Sequence, residues 1–299
     1  MVPQVSVIIP TYNRRAIVSE AIDSVLAQSL REFELILVDD GSTDGTEEEL
    51  LRLGNAIRVE RIEHGGPAAA RNRGVELARA PLIAFLDSDD LWAPTKIERQ
   101  LVFMRENPGC AISQTDEIWI RNGRRVNPGV RHRKRSGDIF IDSLRTCLIS
   151  MSATMMRTEL FRSLTGFDQM MDAAEDYDLW LRILIDHEAG LLEEPLVTRR
   201  GGHCDQTSAT TSAIDRFRIL ELTKLLTDDR LSPERRTAVI EVLAEKCRIY
   251  AGGLARRGRI EQARLYQRIA NQAQKWRASE IGCAIKSIRS ALHEIPHEC

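Results

Sequence analysis

Leu82-Ile83-Ala84-Phe85-Leu86-Asp87-Ser88-Asp89-Asp90 is a short apolar run closed by clustered carboxylates. A run of this length fits a strand buried on both faces, and the carboxylates then stand at its C-terminal tip. Hard oxygen donors in such a cluster suit Mg²⁺ or Mn²⁺. These ions take one or two carboxylates and complete their shell with substrate phosphates. A solvated Asp-rich turn is the plainer reading of the same residues. The surrounding sequence decides between the two.

Upstream, strand and helix patterns alternate. Val5-Ser6-Val7-Ile8-Ile9 is a β-branched run, and Val18, Ala21, Ile22, Val25 and Leu26 then recur at helical spacing. Residues 33–38 read as a strand, 44–53 as a helix, 57–62 as a strand, and 67–80 as a helix that begins at a proline. Residues 82–86 are the fourth strand. Such alternation predicts an α/β fold, a mostly parallel sheet covered by helices. Ligands of open sheets sit outside the carboxyl ends of the strands. Three of those ends are polar here: Pro10-Thr11-Tyr12-Asn13, Asp39-Asp40-Gly41-Ser42 and Asp87-Ser88-Asp89-Asp90. Their convergence on one crevice is the expectation that favours a binding site over a solvated turn.

The whole-chain balance narrows the class. With 299 residues, 43% hydrophobic, 29% charged and a net charge of -2, the chain is ordinary globular material. Near-neutral charge gives no case for nucleic acid. No apolar stretch approaches the ~20 residues of a membrane span, and the chain enters a strand without the pattern of a signal peptide. Cys110, Cys147, Cys204, Cys247, Cys283 and Cys299 are scattered, without a C-x-x-C pair. That spacing suits a reducing cytoplasm and argues against a disulfide framework or a zinc site.

The ordered motifs resemble a known family. Val7-Ile8-Ile9-Pro10-Thr11-Tyr12-Asn13, Leu37-Val38-Asp39-Asp40-Gly41-Ser42-Thr43-Asp44, Gly65-Gly66-Pro67-Ala68-Ala69-Ala70-Arg71-Asn72-Arg73-Gly74 and Asp87-Ser88-Asp89-Asp90 look like the signature of the family 2 glycosyltransferases. Glu175-Asp176-Tyr177-Asp178-Leu179-Trp180 resembles that family's later E-D motif. The resemblance covers residues 4–205. It implies a GT-A fold, Rossmann-like, with a nucleotide-diphosphate sugar donor, a divalent metal (Mn²⁺ or Mg²⁺) and inversion at the anomeric carbon.

Each residue has a chemical role in that frame and a plainer one beside it. Asp40 accepts the ring N–H of a uracil-like or guanine-like base, or caps its turn through Ser42 or Thr43. Pro10 and Thr11 bring backbone close to base and ribose. Tyr12 stacks on the base or packs at the edge. Arg71 faces nucleotide phosphates or makes a surface salt bridge. Asp89 holds the metal, Asp87 the ribose or a metal-bound water, and Asp90 caps the following turn. His203 returns to the metal or phosphates, or is structural. Asp176 is the catalytic base, or only complements a helix N-terminus. Glu175 binds the acceptor, and Trp180 packs beneath the site or against a sugar face.

Downstream, residues 94–107 read as a helix and 110–120 as a strand. Residues 121–135 read as a basic, breaker-rich loop, with Arg121, Arg124, Arg125, Arg131, Arg133, Lys134 and Arg135. Such a loop is simply solvated, or is a lid or contact for an anionic acceptor or a membrane surface. After residue 205 the alternation gives way to helices. Ser232 and Pro233 open a long one with Val239, Val242, Leu243, Cys247, Tyr250 and Leu254 on its apolar face and Gly258 past its end. Ile260, Ala263, Tyr266, Ile269 and Ala270 mark the next.

The expectation is a GT-A nucleotide-sugar-binding and catalytic domain over residues 1–205 and a helical C-terminal extension over 212–299. It would be a cytoplasmic, metal-dependent hexosyltransferase, with peripheral contact at the inner face of the membrane left open. Its partners would be a nucleotide-diphosphate sugar, most simply a UDP-sugar, and a hydroxyl acceptor in cell-surface polysaccharide or glycoconjugate synthesis. The alternatives are a catalytically silent nucleotide-sugar-binding module and a nucleotidyltransferase. The latter calls for a Gly-rich loop with a basic residue near the first strand, where this chain has Pro10-Thr11-Tyr12-Asn13-Arg14. A dinucleotide oxidoreductase is disfavoured, since no G-x-G-x-x-G follows the first strand.

Overall fold

The computed structural model describes residues 2–52, 57–171, 173–202, 214–276 and 278–293. Along β1 (Val5–Thr11) the side chains alternate between two cores: Val5, Val7 and Ile9 join one apolar cluster, Ile8 the other. A strand's period of two produces this, and both faces are apolar because helices cover both. β1 lies between β2 (Phe33–Asp39) and β4 (Leu82–Phe85), and β3 (Arg58–Arg61) flanks β2. All these pairs are parallel. Beyond β4 the sheet turns mixed. β4 pairs antiparallel with β8 (Thr154–Arg157) and β8 antiparallel with β6 (Ile112–Arg121). β6 runs parallel to β9 (Ala189–Gly201), and the short β5 (Leu91–Trp92) pairs antiparallel with β9. The order is β3-β2-β1-β4-β8-β6-β9-β5.

β7 (Arg124–Val126) folds back on β6 in the segment expected to be loop. Asn122 and Gly123 sit at φ 50° and 72°. A two-residue hairpin needs this left-handed pair, and Asn-Gly favours it.

The helices before the C-terminal region are α1 (Val18–Leu26), α2 (Thr46–Leu51), α3 (Gly66–Leu77), α4 (Lys96–Glu106), α5 (Phe140–Arg145), α6 (Thr158–Ser163) and α7 (Glu175–Leu184). α1, α2 and α4 bury their apolar faces on the side of Val7 and Ile9, and the others on the side of Ile8. α3 crosses β1 closely: a Cβ on Gly74 would lie 2.4 Å from Ile8 Cγ2. That approach carries Arg71, one turn earlier, to the functional end of the sheet.

The C-terminal helices are α8 (Asp215–Leu225), α9 (Pro233–Arg256), α10 (Ile260–Gln272) and α11 (Ala278–His293). Ser232 caps α9, its Oγ accepting from Arg235 N at 3.2 Å, and Gly258 lies past the end at φ 75°. The six side chains expected on its apolar face are all buried. Ile260 departs from its expected place, being 47% exposed. Phe217, Leu220, Val239, Leu243 and Tyr266 belong to the same apolar cluster as Phe140, Tyr177 and Trp180. The helical region is therefore packed on the sheet region through a continuous core. Among the described residues, no helix is long and apolar enough to cross a membrane.

Candidate active site

Because β1, β2 and β4 are parallel neighbours, their C-terminal tips meet at one edge of the sheet. Asn13 ends β1's extension at φ 52°. Its Oδ1 accepts from Thr43 N at 2.8 Å, and its own N–H donates to Ser42 Oγ at 2.8 Å. Asp39 accepts from Ser42 N at 3.1 Å and from Ser42 Oγ. The turn-capping role weighed for Asp40 therefore belongs to Asp39.

Asp40 reaches the start of α3. It accepts from the backbone N–H of Gly65 at 2.8 Å and of Gly66 at 2.9 Å, and His64 Nδ1 lies 2.9 Å from Oδ2. Burial raises its pKa above the ordinary carboxylate value, outweighing Gly65, His64 and Gly66, which lower it. Tyr12 stacks on His64 with ring centroids 4.1 Å apart and planes inclined by 19°. Pro10 and Thr11 are buried beside them, and Thr11 Oγ1 has no hydrogen-bond partner among the described residues.

Arg71 was expected to face phosphates or to make a salt bridge at the surface. It is only 6% exposed, and its guanidinium is engaged by two carboxylates: Nη2 with Asp87 Oδ1 at 2.8 Å and Nη1 with Glu175 Oε1 at 2.7 Å. Arg71 thus bridges the β4 tip to α7. Glu175, expected at the acceptor, is buried in that bridge; burial raises its pKa, Arg71 opposes the rise, and the charge of Asp176 adds to it. Asp90 does not cap the turn ahead of Trp92. Its carboxylate accepts from Ser152 Oγ at 2.6 Å and from Arg200 N at 2.9 Å, tying the β4 tip to β9. Burial, then the charges of Asp87 and Asp89, push it well above the usual carboxylate range.

A cleft of about 550 Å³ gathers these tips, lined among others by Pro10, Thr11, Tyr12, Asp40, Arg71, Asp87, Asp89, Glu175 and Asp176. A second cleft of about 340 Å³ lies against it, and both share Asp87, Asp176, Arg199 and Arg200. Asp176, in the first turn of α7, is half-buried at this junction, its Oδ1 accepting from Tyr177 N at 2.7 Å and its Oδ2 lying 3.7 Å from Cys147 Sγ. Burial, then the charge of Asp176, raises the Cys147 pKa, so that side chain remains a thiol. Trp180 takes the first of the two places weighed for it. At 1% exposure, edge-on to Phe167, it packs beneath the site and lines neither cleft, so an acceptor contact is withdrawn. His203 lies outside the described residues. A larger cavity, about 810 Å³, opens between α7 and α8 against a Lys224–Asp168–Asp178–Glu221 ion-pair network, but none of the expected site residues lines it.

His64, Arg199, Cys147 and Trp119 were not foreseen as lining residues. His64 had a signal, standing directly before Gly65-Gly66-Pro67. The others enter from β9, from the segment after α5 and from β6, where no motif marks them.

The model of the glycosyl transferase family 2 matches residues 6–165. The chain belongs to glycosyltransferase family 2. An uncharacterized glycosyltransferase of Rickettsia felis is 39% identical over 64% of the chain and 32% of its own length. The E. coli UDP-Glc:alpha-D-GlcNAc-diphosphoundecaprenol beta-1,3-glucosyltransferase WfgD is 35% identical over 61% of the chain and 70% of its own. The chain thus spans about a third of the first Rickettsia relatives it matches. Among solved structures, S. aureus TarS 1–349 in complex with UDP-GlcNAc superimposes with a TM-score of 0.63 at 20% identity, over 92% of this chain and 93% of that one. The Pyrobaculum calidifontis mannosyltransferase PcManGT, in complex with GDP-Man and Mn²⁺, gives 0.59 at 18% identity, over 98% and 82%. These likenesses establish the GT-A fold of this family 2 member.

Proposed function

We propose that this family 2 protein is an inverting hexosyltransferase. It moves a sugar from a UDP-sugar to a hydroxyl acceptor in cell-surface polysaccharide or glycoconjugate synthesis. The observation that carries the reading is Asp176, a carboxylate shared by two adjoining clefts, one of them floored by three strand tips. The donor lies in the larger cleft and the acceptor in the smaller. Asp176 takes the proton of the acceptor hydroxyl as that oxygen attacks the anomeric carbon, opposite the leaving diphosphate. Asp40, Asp89 and Asp176 in one cleft speak against a catalytically silent binding module. The catalytic unit is residues 1–205, with the described C-terminal helices packed against it and 212–299 as its extension. A cytoplasmic location belongs to the same proposal, supported by the scattered cysteines.

Asp40 selects the base. A carboxylate offers about four acceptor positions, and Gly65, Gly66 and His64 occupy three of them. One remains for a ring N–H, while Tyr12 and His64 supply the stacking surface. WfgD, with UDP-Glc as its named donor, favours uridine. UDP or GDP should then bind more tightly than ADP, whose base lacks the ring donor, by ~1–3 kcal/mol. Equal affinities in a thermal-shift titration, where bound ligand raises the apparent stability, would count against this role.

The donor set fits a divalent ion. Mg²⁺ and Mn²⁺ need only one or two carboxylates beside phosphate oxygens, and Asp87 and Asp89 line the cleft together. Among the described residues no group of three or more His, Cys, Asp or Glu is placed to hold a metal by itself, so Asp89 would share the ion with phosphate oxygens, and Asp87 would meet a metal-bound water. When bound there, the ion supplies positive charge to the leaving diphosphate, so no protein acid need protonate it. Asp89→Asn should weaken Mn²⁺-dependent UDP binding about tenfold or more, the scale of a lost charge-assisted contact. Donor binding and turnover that persist unchanged in EDTA would sink the metal assignment.

A further inference from the structure

We propose that the smaller cleft holds the acceptor by a phosphate or diphosphate group, gripped by Arg121 and Arg218, with Arg199 where the two clefts meet. The inference rests on the glycosyltransferase reading, which puts the acceptor in this cleft.

The cleft lies between β6, β9 and the segment after α5. Five cationic side chains line it, Arg121, Lys134, Arg199, Arg200 and Arg218, against the carboxylates Asp87, Glu117 and Asp176. Two of the cations are committed elsewhere. Lys134 pairs with Glu117 at 3.0 Å, both side chains buried. Arg200 is held by Glu20 and the Asp89 carbonyl. The other three make no close ion pair among the described residues, although the charges of Glu117, Asp90, Asp87 and Asp176 hold the Arg199 guanidinium in its charged form. Arg199 is 3.9 Å from Glu117 and lies over the Trp119 ring at 5.0 Å. Arg218 is 3.5 Å from Asp215, lies over the Tyr177 ring at 5.5 Å, and keeps a buried Nε with no hydrogen-bond partner among the described residues. Arg121 stands exposed at the end of β6, placed there by the Asn122-Gly123 turn. A guanidinium lying against a ring is held in place and keeps its N–H edge for an anion. His132, in the same wall, has its pKa lowered by burial and then by Arg131, Arg199 and Arg218, with Glu117 opposing the fall.

Three guanidinium groups from three elements carry more donors than the two oxygens of one carboxylate can accept. A phosphate or diphosphate matches them in oxygen count and in charge. Arg121 and Arg218 line the smaller cleft and not the donor cleft, so the anion they serve is distinct from the leaving diphosphate.

The test uses the full chain saturated with UDP and Mn²⁺, which blocks the donor cleft. Glucose 1-phosphate and methyl glucoside are then titrated by calorimetry. Glucose 1-phosphate should bind, and the neutral glucoside at least ~10-fold more weakly. Arg121→Gln and Arg218→Gln should each weaken the phosphate about tenfold and leave UDP affinity unchanged. Arg121 is exposed, so its variant keeps the fold and carries the test even if Arg218→Gln does not. Phosphatidylcholine vesicles bearing a polyprenyl diphosphate form the second arm. Capture by these vesicles that Arg121→Gln abolishes identifies a lipid-borne phosphate; binding of glucose 1-phosphate alone identifies a soluble one. Equal affinity for phosphate and glucoside, or Arg variants that bind like wild type, would overturn the proposal. Failure of UDP to bind the wild type would instead overturn the glycosyltransferase reading.

Discussion

Asp176→Asn is expected to lower kcat by ~10²–10⁴, the usual scale for loss of a general base, with donor affinity nearly intact. The substitution keeps the shape of the side chain and removes its basicity. It also keeps the local scaffold, because an amide oxygen still accepts from Tyr177 N, as Oδ1 does now at 2.7 Å. Asp176 is not itself a partner of the Arg71 bridge, which runs to Asp87 and Glu175. The donor-cleft ion pairs should therefore survive. The neighbouring thiol of Cys147 sets up a control. Raised in pKa, it is a neutral neighbour 3.7 Å from Oδ2. Cys147→Ser, which retains an O–H donor, should change kcat far less than Asp176→Asn. Transfer is measured with a saturating UDP-sugar and its active acceptor, and donor affinity separately by calorimetry. Near-wild-type transfer by Asp176→Asn, or a product that retains the donor's anomeric configuration, would remove Asp176 from the role.

The parallel half of the fold was legible because its signals are local. Alternating runs and helical spacing mark β1 to β4 and α1 to α3, and parallel order then brings the tips together without further information. The antiparallel half was not. Nothing in Thr154-Met155-Met156-Arg157 states that it runs against β4 and joins β4 to β6. Asn122-Gly123 is itself a hairpin signal, but the arginines and breakers around it fit a solvated loop equally well. In the site, residue types at the strand tips were informative, but their pairings were not. Asp39 and Asp40 are adjacent and both acidic, yet one caps its own turn while the other holds the start of α3. Arg71, Asp87 and Glu175 each suggested a ligand contact singly. Only the tertiary structure brings Arg71 within 2.8 Å of both Asp87 and Glu175, across sequence separations of 16 and 104 residues.

That bridge gives the largest expected stability effect. Arg71→Met removes the cation between two carboxylates, one of them buried, and breaking such a pair typically costs about 3–5 kcal/mol. The loss should depend on pH, with a sign fixed by Glu175. Burial already raises its pKa, and Arg71 is the main influence holding it down. Without Arg71 the folded-state pKa rises further above the unfolded value. A carboxyl group raised in this way favours the native state below its unfolded pKa and loses that contribution as pH climbs through the folded pKa. The deficit of Arg71→Met relative to wild type should therefore be smallest near pH 4, about the ordinary Glu pKa, and grow toward neutrality. Arg71→Met with Glu175→Gln should recover much of the stability at neutral pH, since the uncompensated buried charge is gone. It should not recover activity, because Asp87 would still lack the partner that fixes it beside the donor. Urea titrations of wild type, single and double variants at several pH values measure the whole pattern. A single variant whose deficit is the same at every pH, or a double variant no more stable than the single, would show that Arg71 holds the site by packing rather than by charge.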